Sequence, residues 1–303
     1  MIIRSRPLSF TTARAGAVFA LAATAAVLSA CSSSDTTSAP VPAPDPGTGH
    51  LHGLGVDPAD NSVYAAGHLG VFRLTGGKAV RIADHYQDTM GFTITGPRTF
   101  LASGHPSPTD PKATSPHLGL IRSTDAGKTW TTLSAQGTAD FHSLQCAGTT
   151  LYGYDSQSAQ LWASTDDGRT WQRRSKAAIT DLAATDSDPE RLWATTDSGL
   201  QRSTDGGRTF QPVPGAQDLA AIDRPTSTLL IALATDGRVL TSPDGTTFTE
   251  HGHLPHGAKP TVLTAVNTTR LLAADDADTV YESKDGGRTW NVLHRSQPES
   301  EGH

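Results

Sequence analysis

One phrase, Ser123-Thr124-Asp125-Ala126-Gly127-Lys128-Thr129-Trp130, decides how this chain is read. It returns as Ser164-Thr165-Asp166-Asp167-Gly168-Arg169-Thr170-Trp171, as Ser203-Thr204-Asp205-Gly206-Gly207-Arg208-Thr209-Phe210, shortened as Ser242-Pro243-Asp244-Gly245-Thr246-Thr247-Phe248, and as Ser283-Lys284-Asp285-Gly286-Gly287-Arg288-Thr289-Trp290. The intervals from serine to serine are 41, 39, 39 and 41 residues, a period that marks blades, solenoids or arrays.

Working outward from each copy, the same order of segments recurs: a short apolar strand, a polar turn, a second strand, a third strand, the phrase, and a fourth strand. Thr180 to Ala184, Arg191 to Thr195, Gly199 to Ser203 and Thr209 to Val213 form one such set. Four short strands per forty residues predict an all-β fold, a six-bladed β-propeller of four-stranded antiparallel blades. Five blades carry the phrase and His50 to Ile82 supplies one without it. The expected blades span 50–83, 88–135, 139–175, 178–214, 218–253 and 260–295.

Within the phrase the aspartate is expected to accept hydrogen bonds from backbone N–H groups of the turn, glycine to supply positive φ, and hydroxyls to close the rest. The aromatic residue after it is expected to pack between neighbouring sheets. Asp125, Asp166, Asp205, Asp244 and Asp285 are therefore read as structural, and the shortened copy at Asp244 as a looser turn.

The termini are read separately. Arg4, Arg6 and Arg14 precede an apolar run from Ala17 to Ala30 that is too short to span a bilayer, so residues 1–30 are expected to be a signal peptide. Residues 31–49 hold almost no large side chains and predict a flexible tether, and residues 296–303 a disordered tail. Removing three arginines and no acids from a chain of net charge −6 leaves −9, which argues against a nucleic-acid partner. A monomer is expected. Apart from Cys31 the only cysteine is Cys146, so no intramolecular disulfide staples the fold, and Cys146 is read as a small buried hydrophobe.

Propeller topology puts the phrase turns on one face. The connections into the innermost strands, and the turns between second and third strands, lie on the other. That upper face gathers His50 and His52, Asp88 and Met90, and Asp140 and His142 from three successive blades, with His68, His105, His117, Asp155, Asp197, Asp236 and Asp276 at the other turns. Seven of the 12 histidines lie between His50 and His142. In the later blades Thr180, Leu219 and Val262 are read as the counterparts of His52, Met90 and His142.

Imidazoles and carboxylates converging on strand ends suit zinc or copper, and the Met90 thioether favours copper. His50, His52, His68, Met90, His105, His117 and His142 are the candidate metal ligands, with Asp155, Asp197 and Tyr86 as further ligand-binding candidates. A network holding an organic ligand without metal is the alternative. The proline-rich insertion between Ser103 and Leu118 reads either as a lid over this face or as a tolerated surface loop.

The phrase is identified as the Asp-box, or BNR repeat, and the folded part resembles six-bladed sialidase-like propellers. Leu28-Ser29-Ala30-Cys31 resembles the lipobox of bacterial lipoproteins, which implies lipidation of Cys31 and anchorage to a membrane in the cell envelope, outside the cytoplasm. The sialidase pattern implies three substrate-clamping arginines, yet its Arg-Ile-Pro motif is absent here, and Arg73, Arg122 and Arg202 recur beside the phrase turns. This argues against a sialidase, whereas another glycosidase needs only two carboxyl groups, for which Asp88 and Asp140 are the catalytic candidates and Asp155 and Asp197 reserves. The elements His50-Leu51-His52-Gly53-Leu54, Asp88-Thr89-Met90-Gly91-Phe92, Gly104-His105-Pro106 and Asp140-Phe141-His142 resemble those of glycosyl hydrolase-like members of the Asp-box group. Family likeness does not specify function on a propeller, and a protein-binding scaffold of the envelope is a third expectation.

Overall fold

The computed structural model describes residues 45–216 and 218–296. The expected signal peptide, the lipidation site at Cys31, most of the tether and nearly all of the tail lie outside the described residues. Six four-stranded antiparallel sheets follow one another along the chain, each with its strands in sequence order. Their innermost strands, Leu51–Val56, Asp88–Gly96, Phe141–Ala147, Ile179–Thr185, Leu219–Thr226 and Pro260–Ala265, stand side by side in a ring, the first beside the last. This is the all-β six-bladed propeller that the repeat predicts.

Each blade buries one face against the next blade, so the core is divided into six apolar wedges instead of one interior. Tyr64 and Val71 of blade one meet Phe92, Phe100 and Ile121 of blade two. Leu101 and Leu120 of blade two meet Phe141, Leu151 and Trp162 of blade three. The seam between first and last blades is closed the same way, by Leu51, Leu54 and Val63 against Val262, Leu272 and Val280, without exchange of a strand. Three polar links reinforce it: Leu51 N donates to Asp278 Oδ1 at 2.9 Å, Thr264 Oγ1 to the Leu54 carbonyl at 3.0 Å, and His294 Nδ1 lies 3.0 Å from the Gly77 carbonyl.

The repeated phrase forms the turn between third and fourth strands, with the bonding its residue types imply. In the first copy Ser123 Oγ donates to Asp125 Oδ1 at 2.8 Å and accepts from Gly127 N at 2.8 Å, while Asp125 accepts Thr129 N at 2.9 Å and Thr129 Oγ1 at 2.6 Å. Trp130, Trp171, Phe210, Phe248 and Trp290 each pack at the edge of an inter-blade wedge. The last glycine serves two ends at once: Gly207 has φ +78°, and a Cβ there would lie 2.2 Å from Leu161 of the preceding blade. Blade one, lacking the phrase, turns instead through Gly76 and Gly77, both at positive φ, as a two-residue hairpin requires.

The shortened fifth-blade turn makes fewer bonds than the other copies, as expected of a looser turn: the threonine hydroxyl that donates to the aspartate elsewhere has no counterpart on Asp244. Gly245 N still donates to Ser242 Oγ at 2.8 Å, and Asp244 Oδ1 accepts both Thr246 N and Thr247 N. Losing one residue shortens the ring of bonds and preserves the serine anchor and the backbone donors to the aspartate.

Thr129 hydroxyl and backbone donation hold the Asp125 carboxyl at about 2, backbone and hydroxyl donation from Thr170 hold Asp166 at about 2, and Asp205 and Asp285 lie at about 2 through Thr209 and Thr289. A depressed folded-state pKa gives stability that is complete above the unfolded value near 3.8 and is lost as pH falls through the folded value. The melting temperature should therefore fall as pH drops from about 4 to about 2. Asp285→Asn should make that fall shallower, as a pH series of melting curves would measure.

Contacts with blade one begin before His50. Arg81 stacks on Phe72 and Tyr86, with centroid distances of 4.5 and 4.1 Å, and donates to Asp45, to the Gly47 carbonyl and to the Leu69 carbonyl. Thr48 is buried, and its carbonyl accepts Leu69 N at 3.2 Å. The end of the predicted tether is thus clamped to blade one. Among the described residues no helix is long and apolar enough to cross a membrane.

Candidate metal centre

Every innermost strand carries an irregularity at its second or third residue. Pairing with the second strand skips from Leu51 to Gly53, Thr89 to Gly91, Phe141 to Ser143, Ile179 to Asp181, Leu219 to Ala221 and Pro260 to Val262. A β-bulge re-aims the extra side chain. The six skipped residues, His52, Met90, His142, Thr180, Ala220 and Thr261, all line one channel of about 440 Å³. The counterparts of His52, Met90 and His142 in the later blades are therefore Thr180, Ala220 and Thr261; the expected Leu219 and Val262 are each off by one, because the bulge shifts the inward position. Three neighbouring blades present His, Met and His to the channel mouth. The other three present Thr, Ala and Thr.

Around this mouth the histidines of blades one to three come together. His52 stacks on His68 at 4.6 Å and meets His50 edge-on at 5.1 Å. Ligand atoms of His52, His68 and Asp88 all lie within 4.8 Å of one another, and so do those of His105, His117 and Asp140. Small side-chain adjustments would bring either triad round one ion with bonds of about 2 Å. The proline-rich insertion supplies His105 and His117 at its two ends, with rings 5.5 Å apart, so its length contributes two of the six triad residues.

Carboxylates orient these rings. Asp88 Oδ2 lies 3.3 Å from His105 Nδ1, and Asp140 Oδ2 lies 3.4 Å from His105 Nε2, 3.0 Å from His142 Nε2 and accepts Ser156 Oγ at 3.0 Å. Burial works to raise the Asp140 pKa, but the hydrogen bond from His142 and the charges of His142 and His105 outweigh it, and the net shift is downward. Burial, with the neighbouring imidazoles of His68, His50 and His142, lowers His52 to about 3. His52 is therefore a neutral imidazole with a lone pair free for a ligand.

Several of these polar atoms are buried with no protein partner. His52 Nε2, Asp88 Oδ1, His117 Nδ1 and Asp140 Oδ1 are all orphaned. An unsatisfied buried polar atom costs about 1–3 kcal/mol, and four on the two converging groups are a concentrated cost that a bound group would relieve.

Other expected ligand residues are placed elsewhere. Asp155 is buried, but its oxygens accept Asp140 N at 2.9 Å and the Ser158 backbone N–H, so it braces the loop that carries Asp140. Asp197 is an exposed residue at a turn of blade four, and Tyr86 is engaged by Arg81. None of the three belongs to the converging groups; of the rim residues, His50, His52, Met90 and His142 line the channel, whereas His68, Asp88, His105, His117 and Asp140 stand beside it. Phe141, Tyr152 and Tyr154 are buried in the wedges and present no aromatic face to the rim. His50 sits on the rim 3.4 Å from Asp278. Burial pushes the Cys146 thiol up to about 12, in keeping with an unreactive side chain.

Two channel residues escaped the sequence reading. Crowding by surrounding protein raises Asp181 to about 7 and Asp223 to about 6, against hydrogen bonds from Ile222 N and Leu182 N and from Ala265 N and Arg224 N. Each carboxylate bridges to the next blade, Asp181 to Ile222 N at 2.9 Å and Asp223 to Ala265 N at 2.7 Å. The side chains still meet water in the channel, which tempers the energetic effect of the crowding. Their signal was an acidic residue inside an otherwise apolar innermost strand.

No protein family model matches the chain, and no curated protein is significantly similar to it. Solved structures are similar in fold. A GH74 xyloglucanase from Xanthomonas campestris is 20% identical with a TM-score of 0.52, over 82% of this chain and 38% of that one. A GH74 enzyme from Niastella koreensis is 18% identical with a TM-score of 0.54, over 81% and 45%. A catalytically inactive virginiamycin B lyase from Staphylococcus aureus with quinupristin is 14% identical with a TM-score of 0.53, over 84% and 87%. The chain spans less than half the length of the two GH74 proteins, and the likeness is one of propeller fold.

Proposed function

We propose that this protein is a lipid-anchored propeller of the cell envelope whose upper rim binds a metal ion, copper or zinc, through His52, His68, Asp88, His105, His117 and Asp140. The observation that carries this reading is the set of buried orphaned atoms on His52, Asp88, His117 and Asp140, on the same residues whose ligand atoms converge. Met90 at the bulge between His52 and His142 favours copper. The membrane anchor rests on the lipobox-like Leu28-Ser29-Ala30-Cys31 and the tether after it.

Elemental analysis of the purified full chain tests the metal reading. Stoichiometric copper or zinc is expected in the wild type, and at least a tenfold drop in the variant carrying both His52→Ala and His117→Ala, which removes one imidazole from each group of converging ligand atoms. A wild-type protein that neither contains metal nor takes it up would refute the reading.

A glycoside hydrolase is the second reading, favoured by the GH74 likeness in fold and by two carboxylates on one rim. The His105 ring lies between Asp88 and Asp140, where a scissile bond would need space, and this ranks the hydrolase below metal binding. Turnover in a glycan screen, abolished by Asp88→Asn or Asp140→Asn, would reverse that order. Capture of one stable partner protein, unaffected by the two histidine substitutions, would favour the envelope scaffold.

A further inference from the structure

We infer that the rim is a two-ion centre, with one ion on His52, His68 and Asp88, a second on His105, His117 and Asp140, and Asp88 coupling the two. This deepens the metal reading above and rests on it.

The orphaned atoms divide evenly between the triads. His52 Nε2 and Asp88 Oδ1 belong to the first, His117 Nδ1 and Asp140 Oδ1 to the second. Each triad thus has an imidazole nitrogen and a carboxylate oxygen that are buried and unpartnered, the mixed N/O donor set that zinc and copper accept. The ligand atoms gather as two triads and not as one four-residue set, so two ions match the arrangement better than one. The His105 ring stands between the triads, its Nδ1 3.3 Å from Asp88 and its Nε2 3.4 Å from Asp140.

That ring also defines how the sites are linked. A metal-bound histidine is oriented by a hydrogen bond from its second nitrogen, often to a carboxylate. For His105, Nε2 faces the second triad and Nδ1 donates to Asp88 Oδ2. Asp88 Oδ1 remains for the first triad. One carboxylate is therefore a ligand to the first ion and, through its other oxygen, a positioning residue for the second. Asp140 repeats the division: Oδ2 accepts from His142 and Ser156, and Oδ1 is left over.

Zinc titration of the metal-stripped full chain, followed by calorimetry and checked by elemental analysis, distinguishes the outcomes. Two equivalents are expected. His68→Ala and His117→Ala should each leave one, and the double variant none. Asp88→Ala should also leave one, bound about 10–100-fold more weakly than the ion left in His68→Ala, the usual cost of removing such an orienting partner. The His68 side chain is exposed, and His117→Gln retains a polar side chain at that position, so unchanged circular dichroism and melting temperature would separate lost ligation from lost fold. One equivalent in the wild type, abolished by either single substitution, would overturn the two-ion inference while leaving metal binding intact. No zinc at all would sink both. Two equivalents with Asp88→Ala equal to His68→Ala would refute the coupling.

Discussion

Phe141→Ala should lower the unfolding free energy by about 3–5 kcal/mol, the range for deleting a fully buried aromatic ring. Phe141 is 0% exposed. Its ring lies 4.7 Å from that of Trp171 and 5.5 Å from that of Trp162, and it fills the space left by the absent side chain of Gly153, where a Cβ would come within 2.7 Å of the ring. Its N–H donates to Ser103 Oγ at 2.9 Å, across the blade two to blade three seam. Gly91 approaches from the same side, since a Cβ there would lie 2.3 Å from the Phe141 carbonyl oxygen. The surroundings are rigid strands, so collapse into the cavity is limited and the cost falls in the upper part of the range. For a domain of this size that is roughly a 10 °C drop in melting temperature, measurable by calorimetry or denaturant titration. A loss under about 1 kcal/mol would mean that the wedge relaxes and that aromatic packing does not hold this seam.

The residue immediately before it is expected to behave in the opposite way. Asp140→Ala should leave the melting temperature nearly unchanged while weakening metal binding at least about 10–100-fold. The Asp140 side chain is 1% exposed, and one oxygen organises His105, His142 and Ser156 while the other is orphaned. Removing it eliminates one ligand and releases two imidazoles whose orientation it sets. The backbone bonds at this position survive, because Asp140 N still donates to Asp155 Oδ1 and its carbonyl still accepts Ser156 N. Metal affinity unaltered in Asp140→Ala would remove the second triad from any metal-binding role. The two adjacent substitutions separate fold from site: one side chain packs in a wedge, the next faces the rim.

Fold class, blade number and blade limits were legible in the chain because a propeller is a local object repeated. The phrase carries its own turn chemistry in eight residues, with Asp125, Gly127 and Thr129 each serving a bond within that turn, so no distant contact is needed to read it. The face of the molecule on which His52, His68, His105, His117 and His142 lie also followed from topology alone, since alternate connections of an antiparallel blade lie on alternate ends. Residue type likewise marked Asp88 and Asp140 as candidates.

Other features depended on the ring being closed. The one-residue bulge that turns His52, Met90 and His142 inward is a property of strand pairing, which no single strand displays, and it moved the later counterparts to Ala220 and Thr261. Asp155 looked equivalent to Asp140 in sequence, yet its oxygens are consumed by the backbone of the loop it braces. The division of the histidines into two triads, with the His105 ring between Asp88 and Asp140, depends on side-chain positions from three blades and one long insertion. The linear chain determined a six-bladed ring with a histidine-rich face, because its periodicity is encoded locally. Only tertiary structure decided which polar atoms on that face remain without partners, because hydrogen-bond satisfaction depends on neighbours far away along the chain.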